Sequence, residues 1–462
     1  MVTRPPALFF VTNLGFMNPV KVMIRRPATY LLLAALGHAA SAAAQTPLTL
    51  TEAIARARAQ NPDAGSSAAV ERETLQRIRQ ARAGYLPKVD LVESWQRGNQ
   101  PVFVFSSLLA QRQFTAADFA LDALNHPQPL DNFRSGVMVE QSLFDGATRA
   151  SVAVAGLDHD VATANRLMVD HDLAASVTTA YGRVLAAVAA GQSAAAAADT
   201  ARADRELTGN RRDAGLVTDA DVLQLDVHIS RTREQQIRAI SEERIARAQL
   251  NQLMGEPLGE AFALDRSPTV AVIDTTDLAS LEAEALENRP DVKLAALQEQ
   301  LAGATQAAAR AVFLPQVTAQ GGWEFNGGAW NARTSSWVVG AVARINLFRG
   351  FADTARLAEA REQTARRALE RDKSETAARL DVYIAIARLD AARASDTVGR
   401  TAVEQARESR RIVRDRYEAG LTDVASLLRA AEAVVQADTQ QTAAQVAVLT
   451  ETATLGRMLG RR

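Results

Sequence analysis

The sequence predicts a mainly α-helical chain with a membrane β-barrel part, built from two tandem copies of one unit. Three observations predict it. The stretch Arg212–Leu223 (Arg-Asp-Ala-Gly-Leu-Val-Thr-Asp-Ala-Asp-Val-Leu) recurs in altered form at Arg416–Leu427, each time between two long helical patterns. Other short motifs recur in the same order at nearly constant displacement, the signature of an internal repeat. Four short segments alternate apolar and polar residues with period two, as strands with two different faces do.

Composition sets the frame. The chain has 462 residues, 5% of them aromatic, and is rich in alanine, which suits long helices packed closely side by side. A net charge of −1 gives no basic balance for nucleic acid. With no cysteine, disulfides, thiolate metal sites and an acylated cysteine are not expected. Residues 1–44 read as a secretory signal peptide starting at Met23. Arg25 and Arg26 lead into a short apolar run, Thr29–Leu36, and Ala42-Ala43-Ala44 offers a cleavage site. The run is too short for a bilayer-spanning helix, and no spanning helix is expected later in the chain.

The displacement of the motifs locates the copies. Asn61-Pro62-Asp63, Tyr85-Leu86-Pro87 and Trp95 correspond to Arg289-Pro290-Asp291, Phe313-Leu314-Pro315 and Trp323, all displaced by 228 positions (61 to 289). Leu143-Phe144-Asp145-Gly146 corresponds to Leu347-Phe348-Arg349-Gly350, and Gly215 to Gly420, at 204 and 205 positions. The drop reflects a longer loop near residues 99–132 in the first copy. The first repeat is therefore 45–254, the second 279–460, and 255–278, with Pro257, Gly259 and Pro268, is the linker between them.

Within each copy the elements follow from punctuation and period. A short helix over Leu48–Asn61 stops before Pro62, and a second runs to about Gly84. Strands are predicted at 88–98 and 133–144, with a short helix around Ser106–Gln111 in the loop between them. A helix then runs from Gly146 to about Asp213, roughly 100 Å long at 1.5 Å per residue. Gly215 stops it, since glycine takes the left-handed C′ conformation without a Cβ penalty. Thr218 or Asp219 caps the return helix, which ends at Met254. The second copy repeats this with strands at 316–325 and 336–348, a loop over Asn326–Thr334, a helix over Ala352–Glu418, a stop at Gly420 and a cap at Thr422 or Asp423. Each tip is a sharp turn between antiparallel helices.

Four strands of this length suit a tilted bilayer crossing, with lipid on one face and water on the other. Four cannot close a barrel, and open edges are not tolerated in lipid. Either several chains share one barrel, three giving 12 strands, or the chain is soluble with a small sheet and long coiled coils. Both readings are open at this point.

From Leu48 to Gly460 the chain resembles the TolC-like outer-membrane efflux proteins. The carriers are the duplicated Leu-Pro before each strand pair, Leu-Phe-Asp-Gly and Leu-Phe-Arg-Gly after it, and the Ala-Gly-Leu…Asp tips. The resemblance implies a homotrimer with a shared 12-stranded barrel, a periplasmic helical tunnel and an equatorial collar. It implies an exit duct of a tripartite efflux or type I secretion system, passive, with no enzymatic activity and no cofactor. The tips, Gly215, Leu216, Val217, Thr218 and Asp219 with Gly420, Leu421, Thr422 and Asp423, are then where a periplasmic adaptor docks, linked to an inner-membrane pump. The family pattern also implies a closing bond between Tyr417 and Asp221. Positions that often carry a ring of acids hold Ser426 and Arg429 here, so a less acidic entrance is expected. A periplasmic coiled-coil adaptor or scaffold protein is the competing function. Adaptors carry one central hairpin, whereas this chain has two, each preceded by a strand pair.

The remaining features have ordinary readings. His159, His171 and His228 lack metal-ligand spacing. The Gly-Gly pairs at 321–322 and 327–328 are not followed by a phosphate-loop pattern. Arginine-rich runs alternate with acids as solvated helix faces. Trp95 and Trp323 are expected to face lipid or its interface, where tryptophan is enriched.

Overall fold

The structure is a computed structural model and describes residues 47–266, 268 and 272–461. The predicted signal peptide lies outside the described residues. The first copy comprises α1 (Leu50–Gln60), α2 (Pro62–Ala83), β1 (Lys88–Gly98), α3 (Pro101–Ala110), α4 (Leu121–Asn125), β2 (Leu130–Phe144), α5 (Gly146–Asp213) and α6 (Asp219–Met254). The second comprises α7 (Leu278–Asn288), α8 (Pro290–Ala311), β3 (Gln316–Ala329), β4 (Ala332–Arg344), α9 (Ala352–Glu418) and α10 (Val424–Met458).

Two helices set the length of the molecule. α5 and α9 have 68 and 67 residues, each roughly 100 Å. Shorter helices stack end to end beside them. On the strand side of the waist the layer runs α2–α5–α8–α9; on the tip side it runs α6–α5–α10–α9. Among the described residues, α5 alone is long and apolar enough by composition to cross a bilayer. Its alanines instead let α1, α6 and α10 approach closely, burying Ala180, Ala194, Ala198 and Ala201.

The two copies end alike. Gly255 and Gly460 take left-handed conformations, with φ +75° and +71°. A Cβ on Gly255 would lie 2.7 Å from the Gln60 carbonyl oxygen, and one on Gly460 would lie 2.6 Å from the Asn288 carbonyl carbon. Gln60 and Asn288 are themselves equivalent residues, so each copy closes its last helix against the end of its first. One apolar cluster gathers Leu48, Ala53, Tyr181, Leu250 and Met254; its counterpart gathers Leu281, Ala285, Leu389, Leu455 and Leu459. The linker is pinned at this level. Leu48 forms a parallel bridge with Leu264, and the Tyr181 hydroxyl lies 2.9 Å from the Leu48 carbonyl and 2.7 Å from the Asp265 carbonyl. Burial, with Asp265 nearby, pushes that phenol up to about 12.

The sheet is antiparallel, in the order β1-β2-β3-β4. Its register places Trp95 opposite Phe133, Val137 opposite Trp323, and Trp323 opposite Trp337. These side chains share one face with Val89, Leu91 and Val339. The other face carries Arg134, Asn132, Glu324, Asn326 and Thr334. Arg134 pairs with Glu324 there, and Asn132 donates to Asn326 at 3.1 Å.

The structure corrects the second strand pair. The predicted loop Asn326–Thr334 is mostly strand: β3 continues to Ala329, and Trp330-Asn331 alone make the turn, with a register shift between Asn326 and Ala329. β4 starts at Ala332 and ends at Arg344, not 336–348. Beyond it Asn346 donates to Asp353 at 2.5 Å, drawing the chain towards α9. In the first pair β2 begins at Leu130, and the loop helix is Pro101–Ala110, started by Pro101 at its first turn.

Candidate functional site: the hairpin tips

Both tips are built by the same backbone chemistry. At the first, Gly215 has φ +75°. Its N–H donates to the Arg212 carbonyl at 2.8 Å, and the Leu216 N–H donates to the Arg211 carbonyl at 2.9 Å. At the second, Gly420 has φ +79°, with equivalent bonds to Tyr417 at 3.0 Å and from Leu421 to Arg416 at 2.8 Å. This pair of bonds is the Schellman closure, which satisfies carbonyls left open at a helix end. It leaves Leu216 and Leu421 on the outside, 66% and 67% exposed.

The return helices are capped in complementary ways. Thr218 caps α6: its hydroxyl accepts from the Asp221 N–H, while the Asp221 carboxylate accepts from the Thr218 N–H at 2.9 Å and hydroxyl at 2.8 Å. Asp423 caps α10, accepting from the Ser426 N–H at 2.9 Å. That bonding to Ser426, first of the side chain and then of the backbone, holds the Asp423 carboxyl below its usual range. Asp219 and Thr422 take no capping role. Arg429 is exposed and donates to the Ser426 hydroxyl at 3.1 Å.

The expected Tyr417–Asp221 bond is corrected by this geometry. Asp221 is committed to its capping box. Tyr417 is 1% exposed, packed with Leu225, Val424 and Leu427. Its hydroxyl lies 2.8 Å from that of Thr208, and Thr208 donates in turn to the Asp204 carbonyl at 2.9 Å. On the first hairpin the joint is made largely by residues outside the recurring stretch, Thr208 and Arg211. Arg211 of the first hairpin donates to the carbonyls of Tyr417 and Glu418, the latter at 2.6 Å, and lies 4.9 Å above the Tyr417 ring. A cation at a helix C-terminus meets the negative end of its dipole. Arg410 reaches Asp204 at 3.4 Å. The sequence signal for Arg211 is faint: one arginine in the last turn of a long helix.

Asp204 is 2% exposed. Burial pushes its carboxyl up, outweighing the opposing pull of Arg410, Arg414 and His228. Above the tips the four helices border a cavity of about 640 Å3. Arg231, Arg407, Arg410, Arg411 and Arg414 line it, against Glu432 and Asp438. His228 lines the same cavity, and His159 bonds Thr74 at 3.0 Å. Among the described residues no group of three or more His, Cys, Asp or Glu side chains could hold a metal ion.

A family model described as outer membrane efflux protein matches residues 53–256 and 281–461. The chain belongs to the outer membrane efflux protein family. The two matched segments fall one in each copy. Protein CyaE of Bordetella pertussis is 31% identical over 313 residues, covering 65% of each chain. Outer membrane protein OprJ of Pseudomonas aeruginosa is 28% identical over 222 residues, 46% of each chain. The chain thus spans less than two thirds of the length of these curated relatives. The solved outer membrane protein VceC of Vibrio cholerae shares the fold, with a TM-score of 0.73 at 18% identity over 89% of this chain and 96% of that one.

As a member of the outer membrane efflux protein family, the chain is a protein of the outer membrane, and its fold is that of channels. The four-stranded sheet has one mainly apolar and one mainly polar face, consistent with a share of a β-barrel. Trp95 and Trp323 lie on the apolar face, 60% and 53% exposed. Trp337, opposite Trp323 and 72% exposed, extends this aromatic set, and Trp330, 63% exposed, sits in the β3–β4 turn; neither lies on a recurring motif of the sequence.

Proposed function

We propose that this chain is the exit duct of a tripartite efflux or type I secretion system, passive rather than enzymatic. It works as a homotrimer whose tips receive a periplasmic adaptor linked to an inner-membrane pump. One observation carries the reading: the same two sides of the chain are unfinished in both layers. β1 and β4 are the sheet's edges. α2 and α6 border the helical layer on one side, and α9 borders it on the other. These borders carry exposed apolar residues at coiled-coil spacing: Leu223, Val227 and Ile237 on α6, and Leu380, Ile384, Val398 and Ile412 on α9. An open edge is not tolerated in lipid, and an apolar helix stripe calls for a partner helix. Joining β1 to β4 and α6 to α9 of successive copies completes both layers at once. Three copies supply twelve strands, within the range of known barrels.

The tips support the docking part. Leu216 and Leu421 are the apolar anchors a partner helix needs, flanked by Val217, Asp219 and Asp423, a helix-in-groove mode of recognition. Two measurements test the reading. Detergent-extracted protein should have the mass of three chains and run as a heat-sensitive oligomer on SDS gels; a monomer overturns it. Cysteines at Val217 and Leu421 should crosslink to an adaptor in cells, whereas one at Trp323 should not. The reverse pattern overturns the assignment of ends.

A further inference from the structure

At the end of the sheet away from the tips, α3 crosses the polar face from β1 towards β4. Gln111, 2% exposed, donates to the Asn132 side chain at 3.1 Å and the Asp131 carbonyl at 2.9 Å. The Thr334 hydroxyl donates to the Ala110 carbonyl at 2.8 Å, and Arg112 donates to the Ser335 carbonyl at 3.1 Å. Val104 and Ser107 are buried, and Val104 and Leu108 face the later part of the same loop, at Phe114 and Leu124. The far side of α3 carries Val102, Ser106 and Leu109, with Val102 73% and Leu109 50% exposed. This free stripe is apolar, yet it lies on the water-facing side of the sheet.

Size decides what covers it. Twelve strands about 4.8 Å apart and tilted by about 40° close into a ring of roughly 12 Å radius. A helix with its side chains is about 10–12 Å across. Lying against the inner wall, α3 therefore has its far side at or near the barrel axis. Three such helices cannot be there without meeting. We propose that the Val102–Leu109 stripes of the three α3 helices pack against one another and form an apolar seal across the outer mouth. This rests on the trimeric duct reading. The ligand of the stripe is a second copy of this chain, and the seal excludes water and ions as apolar constrictions do.

The native chain has no cysteine, so Val102→Cys and Leu109→Cys each place one thiol per chain. On mild oxidation of outer-membrane vesicles, at least one of them should yield a disulfide-linked pair of chains. In a second arm, Asp90→Cys puts a thiol on the polar face below α3, on the far side from the mouth. A membrane-impermeant thiol reagent applied to intact cells should label it slowly. Adding Leu109→Asp should speed labelling by about tenfold or more, since charge wets an apolar constriction. The oligomer's mass is measured in every variant. Trimers with no crosslink at either position, or with labelling unchanged by Leu109→Asp, overturn the seal. A monomer overturns the duct reading instead.

Discussion

Tyr417, Thr208 and Arg211 show what holds the tip of one hairpin to the other. A phenol–hydroxyl bond contributes about 1 kcal/mol, and bonds from a charged donor about 1.5–3 kcal/mol. Arg211, which caps two carbonyls of α9, is thus the stronger tie. In planar bilayers Arg211→Ala should raise open probability more than Tyr417→Phe does. Asp221→Ala removes a helix cap, at a cost of about 1 kcal/mol, and should leave closure unchanged; an effect as large as that of Arg211→Ala counts against this assignment. Asp204 adds a pH dependence. Its raised pKa means that the folded chain keeps this proton to higher pH than the unfolded chain. Tip packing is then strongest below the ordinary carboxylate range and weakens as pH rises through the raised value. Thermal melts of Asp204→Asn should show a flatter acid-to-neutral profile than wild type. Arg429, exposed beside the tip, should set selectivity. Arg429→Asp is expected to raise cation over anion permeability, and unchanged reversal potentials would remove it from the entrance.

At the scale of elements, the glycines at helix ends separate local from tertiary demands. Gly215 has open space around it, so Gly215→Ala should cost about 1 kcal/mol for its left-handed backbone alone. Gly255 has the same φ and also touches Gln60. Gly255→Ala should cost more, about 3 kcal/mol, because the strained conformation cannot be relieved by moving away. Melting followed by helical circular dichroism should rank the two in that order. The same contrast explains what was readable in the chain. Pro62, Pro290, Gly215 and Gly420 punctuate helices through local chemistry, so helix ends and the repeat are visible in one dimension. β1 is visible because its two faces differ. The β3–β4 turn is not, because Gly327-Gly328 look like loop yet serve an irregular strand. The Tyr417–Thr208 pair is invisible too: Thr208 lies about two turns before its tip, on no motif, and meets Tyr417 only because the packing of the two hairpins brings these side chains within reach.

For the molecule as a whole, the exposed stripe on α9 is the feature to challenge. Val398 is 69% exposed in the single chain. Were α9 a free surface, Val398→Asp would change almost nothing. As a border with α6 of the next copy, it places a charge in an apolar seam. The temperature at which the oligomer dissociates on SDS gels should fall clearly, while the helical content of the chain stays the same. An unchanged dissociation temperature would leave the sheet edges as the sole joint between copies.

The layout of the helices also has a mechanical meaning. The breaks between α2 and α6 and between α8 and α10 fall at the waist, but α5 and α9 pass it unbroken. The wall is laid like staggered masonry, in which no joint runs through every course. Such a wall has no crease line. A push on the tips cannot fold the tube at its middle, and must instead be taken up as slight bending and twist along two rods of roughly 100 Å. A sideways travel of about 10 Å at the far end then tilts each rod by only about 6° over its whole length. The tips can then swing while the strands at the other end barely feel it.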